Sequence, residues 1–314
     1  MKIATEEKEE LNLITLAQQY SSEESARALL ESLLWPNGPV CPHCKNHKEK
    51  AIYRLQPKEG SKTRKGLCKC GACRKQFTVT VGTVFEDSHI ALSKWMMALF
   101  IMCSSKKAVS AHQLHRMLGI TYKTAWFMAH RIRFALGDDS KTQLKGVVEI
   151  DETFIGGTGD RKTKLSRLTP VMALIEQGGN MKARVVPNVS YKNLGKVLRE
   201  EVQADAVICS DENTAYQTVN KEFKAHHTVN HSKYEYILRR SDGINVGTNH
   251  CESFFSLLKR GVHGAWHSVS REHLPKYVNE FAFRWNTRKL TDGQRTETAT
   301  GLIVGKRLTY RQVI

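Results

Sequence analysis

The chain contains no apolar run approaching the ~20 residues that a membrane-spanning helix needs. Its opening segment, rich in glutamate (Glu6, Glu7, Glu9, Glu10), lacks the basic start and apolar stretch of a secretory leader. These absences make the cytoplasm the expected location. Acidic charge is also in short supply: 31 acidic residues face 48 basic ones, a formal net charge of +17. Residues 1–35 hold seven of those acids against Lys2, Lys8 and Arg27, so the segment is −4 and everything after it is +21. A field of that sign attracts a polyanion with steeply salt-dependent affinity, which points to nucleic acid as partner. With 314 residues, 40% of them hydrophobic, the chain can fill the cores of two or three domains.

Eight cysteines in a chain expected to stay in the cytoplasm argue for metal ligation rather than disulfides. Five of them lie between positions 41 and 73. Cys41-Pro-His-Cys44 and Cys70-Gly-Ala-Cys73 form two Cys-x-x-Cys knuckles with 25 residues between the inner cysteines. Each knuckle offers two thiolates from one tight turn, and two such turns facing each other close a tetrahedral Zn²⁺ site with no open position. A redox Cys-x-x-Cys would instead be single and would open a helix in a βαβ unit. The four thiolates therefore predict one structural Zn²⁺ in a zinc ribbon. His43 and Cys68 lie close by, and a four-thiolate site requires neither. The loop between the knuckles is basic (Lys58, Lys62, Arg64, Lys65), as suits a phosphate backbone.

Before the ribbon, residues 10–35 carry helical apolar spacing, with Ser21 or Ser22 available as a cap, until Trp35-Pro36-Asn37-Gly38-Pro39 breaks the pattern. After it, residues 91–136 read as helical throughout. Leu92, Trp95, Met96, Leu99 and Phe100 form one face, and Ala111, Leu114 and Leu118 a second. Gly119 stops that helix and Thr121 can cap the next. The result reads as a helix-turn-helix whose second helix points Tyr122, Lys123 and Thr124 into a DNA groove, with Arg131 as a further DNA contact. The span 36–140 holds 18 basic and 6 acidic residues, which favours that reading over a plain helix pair.

From about 144 the pattern changes to short strands. Strands are expected at 146–155, 168–177 and 182–189, a helix at 191–203, a strand at 206–210, a helix at 214–222, a strand near 225–230 and a long helix from about 249. That order is the order of the ribonuclease H-like fold. In it, the first strand, the fourth strand and a late helix deliver residues to one edge of the sheet. Asp151 ends the first apolar run, Asp211 ends the fourth, and Glu252 and Lys259 share the late helix.

Carboxylates gathered in this way repel one another and hold hard divalent ions through oxygen ligands. Two Mg²⁺ or Mn²⁺ ions about 3.5–4 Å apart are the arrangement used for in-line attack on a phosphodiester. Asp151 is expected to bridge the pair, with Asp211 and Glu252 flanking. Seven residues separate Glu252 from Lys259, nearly two helical turns, so Lys259 shares its face and can reach a phosphate. Glu149 and Glu152 flank Asp151 and are expected to face away from it. His226, His227 and His231 read as surface or phosphate contacts, and Cys209 and Cys251 as buried packing thiols.

The residues resemble bacterial insertion-sequence transposases of the zinc-ribbon DDE type, the ISXO-like group. Cys41 to Cys44, Cys70 to Phe77 and Thr80 to Thr83 look like that family's ribbon and its exit. Val148 to Gly157, Ser210 to Tyr216 and Glu252 to Gly261 look like its three catalytic motifs, followed by His273-Leu274 and Phe281 to Asn286. The resemblance implies a DNA transposase that recognises terminal inverted repeats, nicks the ends and transfers 3′-hydroxyls into target DNA, with at least a homodimer on DNA. Some family members carry asparagine at the third catalytic position; here Glu252 is present. Cys68 departs from the pattern before the second knuckle. Arg161, Lys162 and Lys164, in the loop between the first two strands, and Arg260 are expected to track phosphates, while Trp266 and His267 are candidates to stack on bases.

The expected organisation is thus multidomain α+β: an N-terminal helical segment (1–35), a zinc ribbon (36–85), a helix-turn-helix DNA-binding domain (86–140), a ribonuclease H-like α/β catalytic domain with the acids (144–290), and a C-terminal tail (291–314).

Overall fold

The computed structural model describes residues 11–19, 21–48, 51–56, 60, 64–156, 168–219, 222–229, 237–239, 241 and 245–313. The chain divides into two compact units, Met1–Leu136 with Leu290–Ile314, and Gly137–Lys289. Among the described residues no helix is long and apolar enough to cross a membrane.

The first unit begins with two short helices, α1 (Leu13–Gln19) and α2 (Glu23–Leu34). Ser22 caps α2 by accepting the Ser25 amide, and Ala26 and Leu30 are its buried residues. A three-stranded antiparallel sheet follows, β1 (Ile52–Arg54), β2 (Cys68–Cys70) and β3 (Gln76–Phe77), in that order. So short a sheet cannot bury a core of its own. Its interior is instead Cys41, Cys68, Cys70 and Phe77 with Trp35 and Ile52 packed against them.

Helix α3 (Leu92–Ser104) is buried along nearly its whole length, as its apolar sequence requires. Helix α4 (Ala111–Leu118) starts on Ser110, whose hydroxyl accepts the Gln113 amide at 3.1 Å, and ends on Gly119 in the left-handed region, φ 57°. Thr121 then caps α5 (Tyr122–Ala135) through the Thr124 amide, 3.2 Å. Stop, turn and restart thus fall at the expected residues.

Residues 291–314, expected only as a tail, carry a helix of their own. It spans Asp292–Gly301, opens with a capping box between Thr291 and Gln294, and packs on α3. Arg295 donates to the Cys103 carbonyl at 2.8 Å, and Thr296 and Thr300, though polar, are buried with their hydroxyls donated to carbonyls four residues back.

The second unit is built on five strands. They are β4 (Val147–Gly156), β5 (Leu168–Glu176), β6 (Met181–Val185), β7 (Val207–Ser210) and β8 (Ala225–Thr228), in the spatial order β6-β5-β4-β7-β8. The first three form an antiparallel meander, and β7 and β8 join in parallel, so the sheet is mixed. Strand alternation decides the layers. Val148, Ile150, Met172 and Leu174 face a helix, Tyr191–Glu201, through its Leu194 and Leu198. On the other face Ile155, Val171, Ala173 and Ile175 meet two helices, Asn249–Gly261 and Leu274–Asn286, through Phe254, Leu258, Val278 and Phe281. The expected helix at 214–222 is a 3₁₀ helix, Thr214–Val219. A two-stranded hairpin, Ile237–Arg239 with Asn245–Gly247, had no counterpart in the sequence reading.

Candidate active site and metal centre

Strand β4 sits in the middle of the sheet, and its parallel pairing with β7 puts Glu149 opposite Cys209. Two residues further on come Asp151, still in β4, and Asp211, just past the end of β7. The third acid comes from the helix Asn249–Gly261, which packs on β4 and β5. Cys251 anchors it there: fully buried, its thiol lies 3.5 Å from the Glu149 carbonyl and 3.8 Å from that of Ala173. Glu252 follows at once and is exposed, and Lys259, on the same helix, is exposed too.

The acids register one another electrostatically. Burial, opposed by a hydrogen bond from the Glu152 amide to Asp151 Oδ1 and reinforced by the charges of Asp211, Glu152 and Glu252, pushes Asp151 up to about 7. A carboxylate held that high is one whose ionised form lacks a compensating cation. Among the described residues the one group of three or more His, Cys, Asp or Glu ligands converging within 4.8 Å is the four-cysteine set. Carboxylates on either side of two ions need not converge so closely, since ions about 3.5–4 Å apart with ~2.1 Å bonds separate the outer ligands by up to ~8 Å. All-oxygen donors, partly exposed and short of positive charge, fit Mg²⁺ or Mn²⁺.

Two neighbours of Asp151 do more than the sequence reading allowed. Glu149, two residues back on the strand, shares Asp151's face rather than turning from it, because strand side chains alternate with period two. It is only 3% exposed, and its carboxylate accepts the His250 backbone N–H at 3.0 Å and meets His250 Nδ1 at 2.8 Å. Gln177 Nε2 donates to it from 3.3 Å. Glu152 does point the other way, yet it is not idle: the Asn213 amide and the Tyr216 hydroxyl both donate to its carboxylate. Burial raises its pKa, the Tyr216 bond opposes that, and the charge of Asp211 adds to it. Burial, followed by Glu152, holds Tyr216 well above the ordinary phenol range, so the hydroxyl stays a donor. The signal in the sequence was the pair of flanking acids itself; their partners, separated by 28 to 101 positions, were not readable.

Asp211 also closes a turn, accepting the Asn213 amide at 3.1 Å on Oδ1. His226 Nε2 lies 2.7 Å from Ser210 Oγ, and burial, followed by the neighbouring His227, lowers its pKa. His231, Arg161, Lys162 and Lys164 lie outside the described residues. Arg260 is exposed and folds back on Ser256, 3.1 Å from its carbonyl. Trp266 packs edge-on against Tyr277 and Phe281, with centroids at 4.4 and 5.7 Å, which makes it a packing residue rather than a free stacking surface.

In the first unit, Tyr122 is 45% exposed and stacks on His112, Lys123 is exposed with its ammonium 4.9 Å from the Tyr310 ring, and Thr124 is half-buried. Arg131 corrects the expectation of a DNA contact. It is 4% exposed, donates to the Glu86 carbonyl at 2.6 Å and lies over the rings of Trp95 and Phe127. On α5 it falls about two and a half turns along from the exposed Tyr122, and so on the opposite face, which packs inward. Burial brings even this guanidinium down to about 10.

The four thiols of the ribbon meet as two pairs, Cys41 with Cys73 and Cys44 with Cys70, each 3.6 Å apart. Each knuckle closes in the same way: Lys45 and Arg74, the residues after the second cysteines, stand at φ 59° and 60°. The Lys45 amide donates to the Cys41 carbonyl at 2.9 Å. Non-glycine residues accept such a conformation where the surroundings over-determine it. Cys68 is buried outside the set, paired across the sheet with Phe77, and burial pushes its thiol up. The four-cysteine cluster supports a structural Zn²⁺ with Cys41, Cys44, Cys70 and Cys73 as ligands.

Fold and site together define a zinc-ribbon protein with a separate mixed α/β unit carrying clustered acids. Residues 143–286 match the ISXO2-like transposase domain, and residues 21–76 match the transposase zinc-ribbon domain of the same group. The chain belongs to this family of insertion-sequence transposases. It is 28% identical over 288 residues to an uncharacterized protein in transposable element ISH50 of Halobacterium salinarum, covering 84% of this chain and 91% of that one. It is 26% identical over 106 residues to an uncharacterized transposase-like protein of Haemophilus influenzae, 34% of this chain and 80% of the relative.

Proposed function

We propose that the protein is a DDE-type DNA transposase acting in the cytoplasm: it binds the terminal inverted repeats of a mobile element, cleaves DNA there, and joins the 3′-hydroxyl ends to target DNA. The observation that carries this reading is the arrival of Asp211, from the end of the parallel neighbour of β4, and of Glu252, on a helix packed against β4, beside Asp151, 60 and 101 positions away in the chain; the charges of both raise the Asp151 pKa. The strand order β6-β5-β4-β7-β8, with only the second strand antiparallel to its neighbours, agrees with the order expected of a ribonuclease H-like sheet and supports the same reading.

Asp151, Asp211 and Glu252 would hold the two Mg²⁺ or Mn²⁺ ions. Ions so bound activate a water or 3′-hydroxyl for attack and relieve charge on the leaving oxygen. Asp151 must first give up the proton that its surroundings favour. Lys259, exposed on the helix of Glu252, contributes a cation to a neighbouring phosphate, and Arg260 beside it tracks the backbone. In the first unit, α4 and α5 act as a helix-turn-helix with Tyr122, Lys123 and Thr124 at the groove, while the zinc ribbon adds positive surface to the recognition of the ends. Joining two ends requires two active sites, so the working form on DNA is at least a homodimer.

The test is incubation of the purified protein with labelled terminal-repeat DNA, plasmid and Mg²⁺ or Mn²⁺. A joined product is expected. Asp151→Ala should remove nicking and joining while end binding stays within about twofold of wild type. Cleavage without joining would instead indicate a nuclease, and binding without either an inert DNA-binding remnant.

A further inference from the structure

The helix that carries Glu252 starts without a side-chain cap of its own: Thr248 occupies the cap position and makes no capping hydrogen bond through its hydroxyl. The first amides of a helix need partners, and a negative charge there is favourable. Glu149 supplies both from the neighbouring strand, taking the His250 N–H and the His250 ring together and receiving Gln177 from the side. His250 stands two residues before Glu252, and Glu149 two before Asp151. The pair therefore fixes where the third acid sits relative to the first.

Glu152 makes the matching connection on the opposite face of β4. It binds Asn213 and Tyr216, which stand two and five residues after Asp211, in the turn and the 3₁₀ helix that follow the strand. Asp211 itself accepts the Asn213 amide, so the chain of contacts runs from Glu152 through Asn213 to the second acid. Tyr216 is 1% exposed and has no freedom to leave. A half-buried carboxylate whose donors among the described residues are neutral is a poor stability device, because those donors do not repay its desolvation with an opposite charge.

We propose that Glu149 and Glu152 are positioning residues of the acid site: each ties one of the other two acid-bearing segments to the strand of Asp151, Glu149 through His250 and Glu152 through Asn213 and Tyr216. This rests on the reading of Asp151, Asp211 and Glu252 as ligands of divalent cations. Outer partners of metal ligands act by fixing ligand orientation, and their loss costs about 10–100-fold in metal affinity or activity.

The experiment measures Mn²⁺ binding to the zinc-loaded full-length protein by electron paramagnetic resonance, beside the Mn²⁺ dependence of end joining. Glu149→Gln and Glu152→Gln should each weaken Mn²⁺ binding by 10–100-fold. End-binding affinity should be unchanged, and part of the joining activity should return at high Mn²⁺. Tyr216→Phe should reproduce part of the Glu152→Gln loss, and the double variant should be no worse than Glu152→Gln alone. Should a glutamate variant fail to fold, Tyr216→Phe and His250→Ala carry the same comparison, since each removes one side-chain bond and leaves the backbone contacts in place. Unchanged Mn²⁺ binding in these variants, with Asp151→Ala losing it, overturns the positioning roles. If Asp151→Ala binds Mn²⁺ like the wild type, the ligand assignment itself falls and the proposal with it.

Discussion

Asp151 concentrates the chemistry of the site in one ionisation. Its folded-state pKa of about 7 lies above the ordinary carboxyl range, so between roughly pH 4 and 7 the folded chain holds a proton that the unfolded chain has released. The contribution of this group to stability is therefore lost as pH rises through that window, and the penalty is complete above about 7. Asp151→Asn, which cannot ionise, should stabilise the Mg²⁺-free protein at pH 8 by ~1–2 kcal/mol after discounting for partial exposure. A rise of roughly 3–6 °C in melting temperature follows. At pH 4 the two proteins should melt together. An equal gain at both pH values in thermal denaturation would mean that the acid is not held protonated. The same competition makes divalent ions harder to bind in acid: each pH unit below about 7 should raise the Mg²⁺ needed for half-maximal joining about tenfold.

Elements were legible wherever their signals are local. Ser110, Gly119 and Thr121 mark the end of one helix and the start of the next by capping chemistry that depends on four residues at a time, and all three do what their residue types allow. The strands of the five-stranded sheet were readable as short segments after the polar linker, β4 and β7 by their apolar runs, and the knuckles from cysteine spacing. What stayed hidden depends on pairing at long range. The hairpin 237–247 is polar and short; the Asp292–Gly301 helix has an unremarkable composition and is recognisable chiefly by the helix it packs on; the partners of Glu149 and Glu152 are far along the chain. Arg131 shows the same limit from the other side, because a basic residue on a helix looks alike in sequence whether it points out or in. Lys123 and Arg131, both on α5, should separate accordingly. Lys123→Ala should weaken repeat binding and lower the slope of log affinity against log salt by about 0.9, the worth of one phosphate contact. Arg131→Ala should leave the slope unchanged and destabilise the first unit by ~2–3 kcal/mol, through lost stacking on Trp95 and Phe127 and an orphaned Glu86 carbonyl. Salt-titrated binding and thermal melts decide between the two roles; a changed slope for Arg131→Ala would return it to the DNA surface.

At the scale of the molecule, charge and metal chemistry divide along the same line. The first unit holds 25 basic against 13 acidic residues and the second 23 against 18, so their net charges are +12 and +5. The greater field belongs to the unit with the ribbon and the capped helix pair, and the acids belong to the other. Binding and chemistry should then respond to different ions. Four thiolates at two knuckles bind a borderline-soft ion whose loss removes folding energy, whereas carboxylate oxygens bind hard ions that exchange freely. Exposure to a thiol-competitive zinc chelator should therefore lower repeat affinity and melt residues 41–77 before the rest, and returning Mg²⁺ alone should not restore it. Withholding Mg²⁺ with zinc left in place should abolish nicking and joining while repeat affinity stays within about twofold. Cys41→Ser should copy the first condition and Asp151→Ala the second. Cys68→Ser should copy neither at the level of zinc content, because its thiol stands outside the four-ligand group, though it should cost ~1–2 kcal/mol by setting a hydroxyl against Phe77 in the ribbon's interior. Atomic absorption for zinc, joined with filter binding across these variants, reads both arms. A Cys68→Ser protein that lost its zinc would move that cysteine into the ligand set and reopen the geometry of the second knuckle.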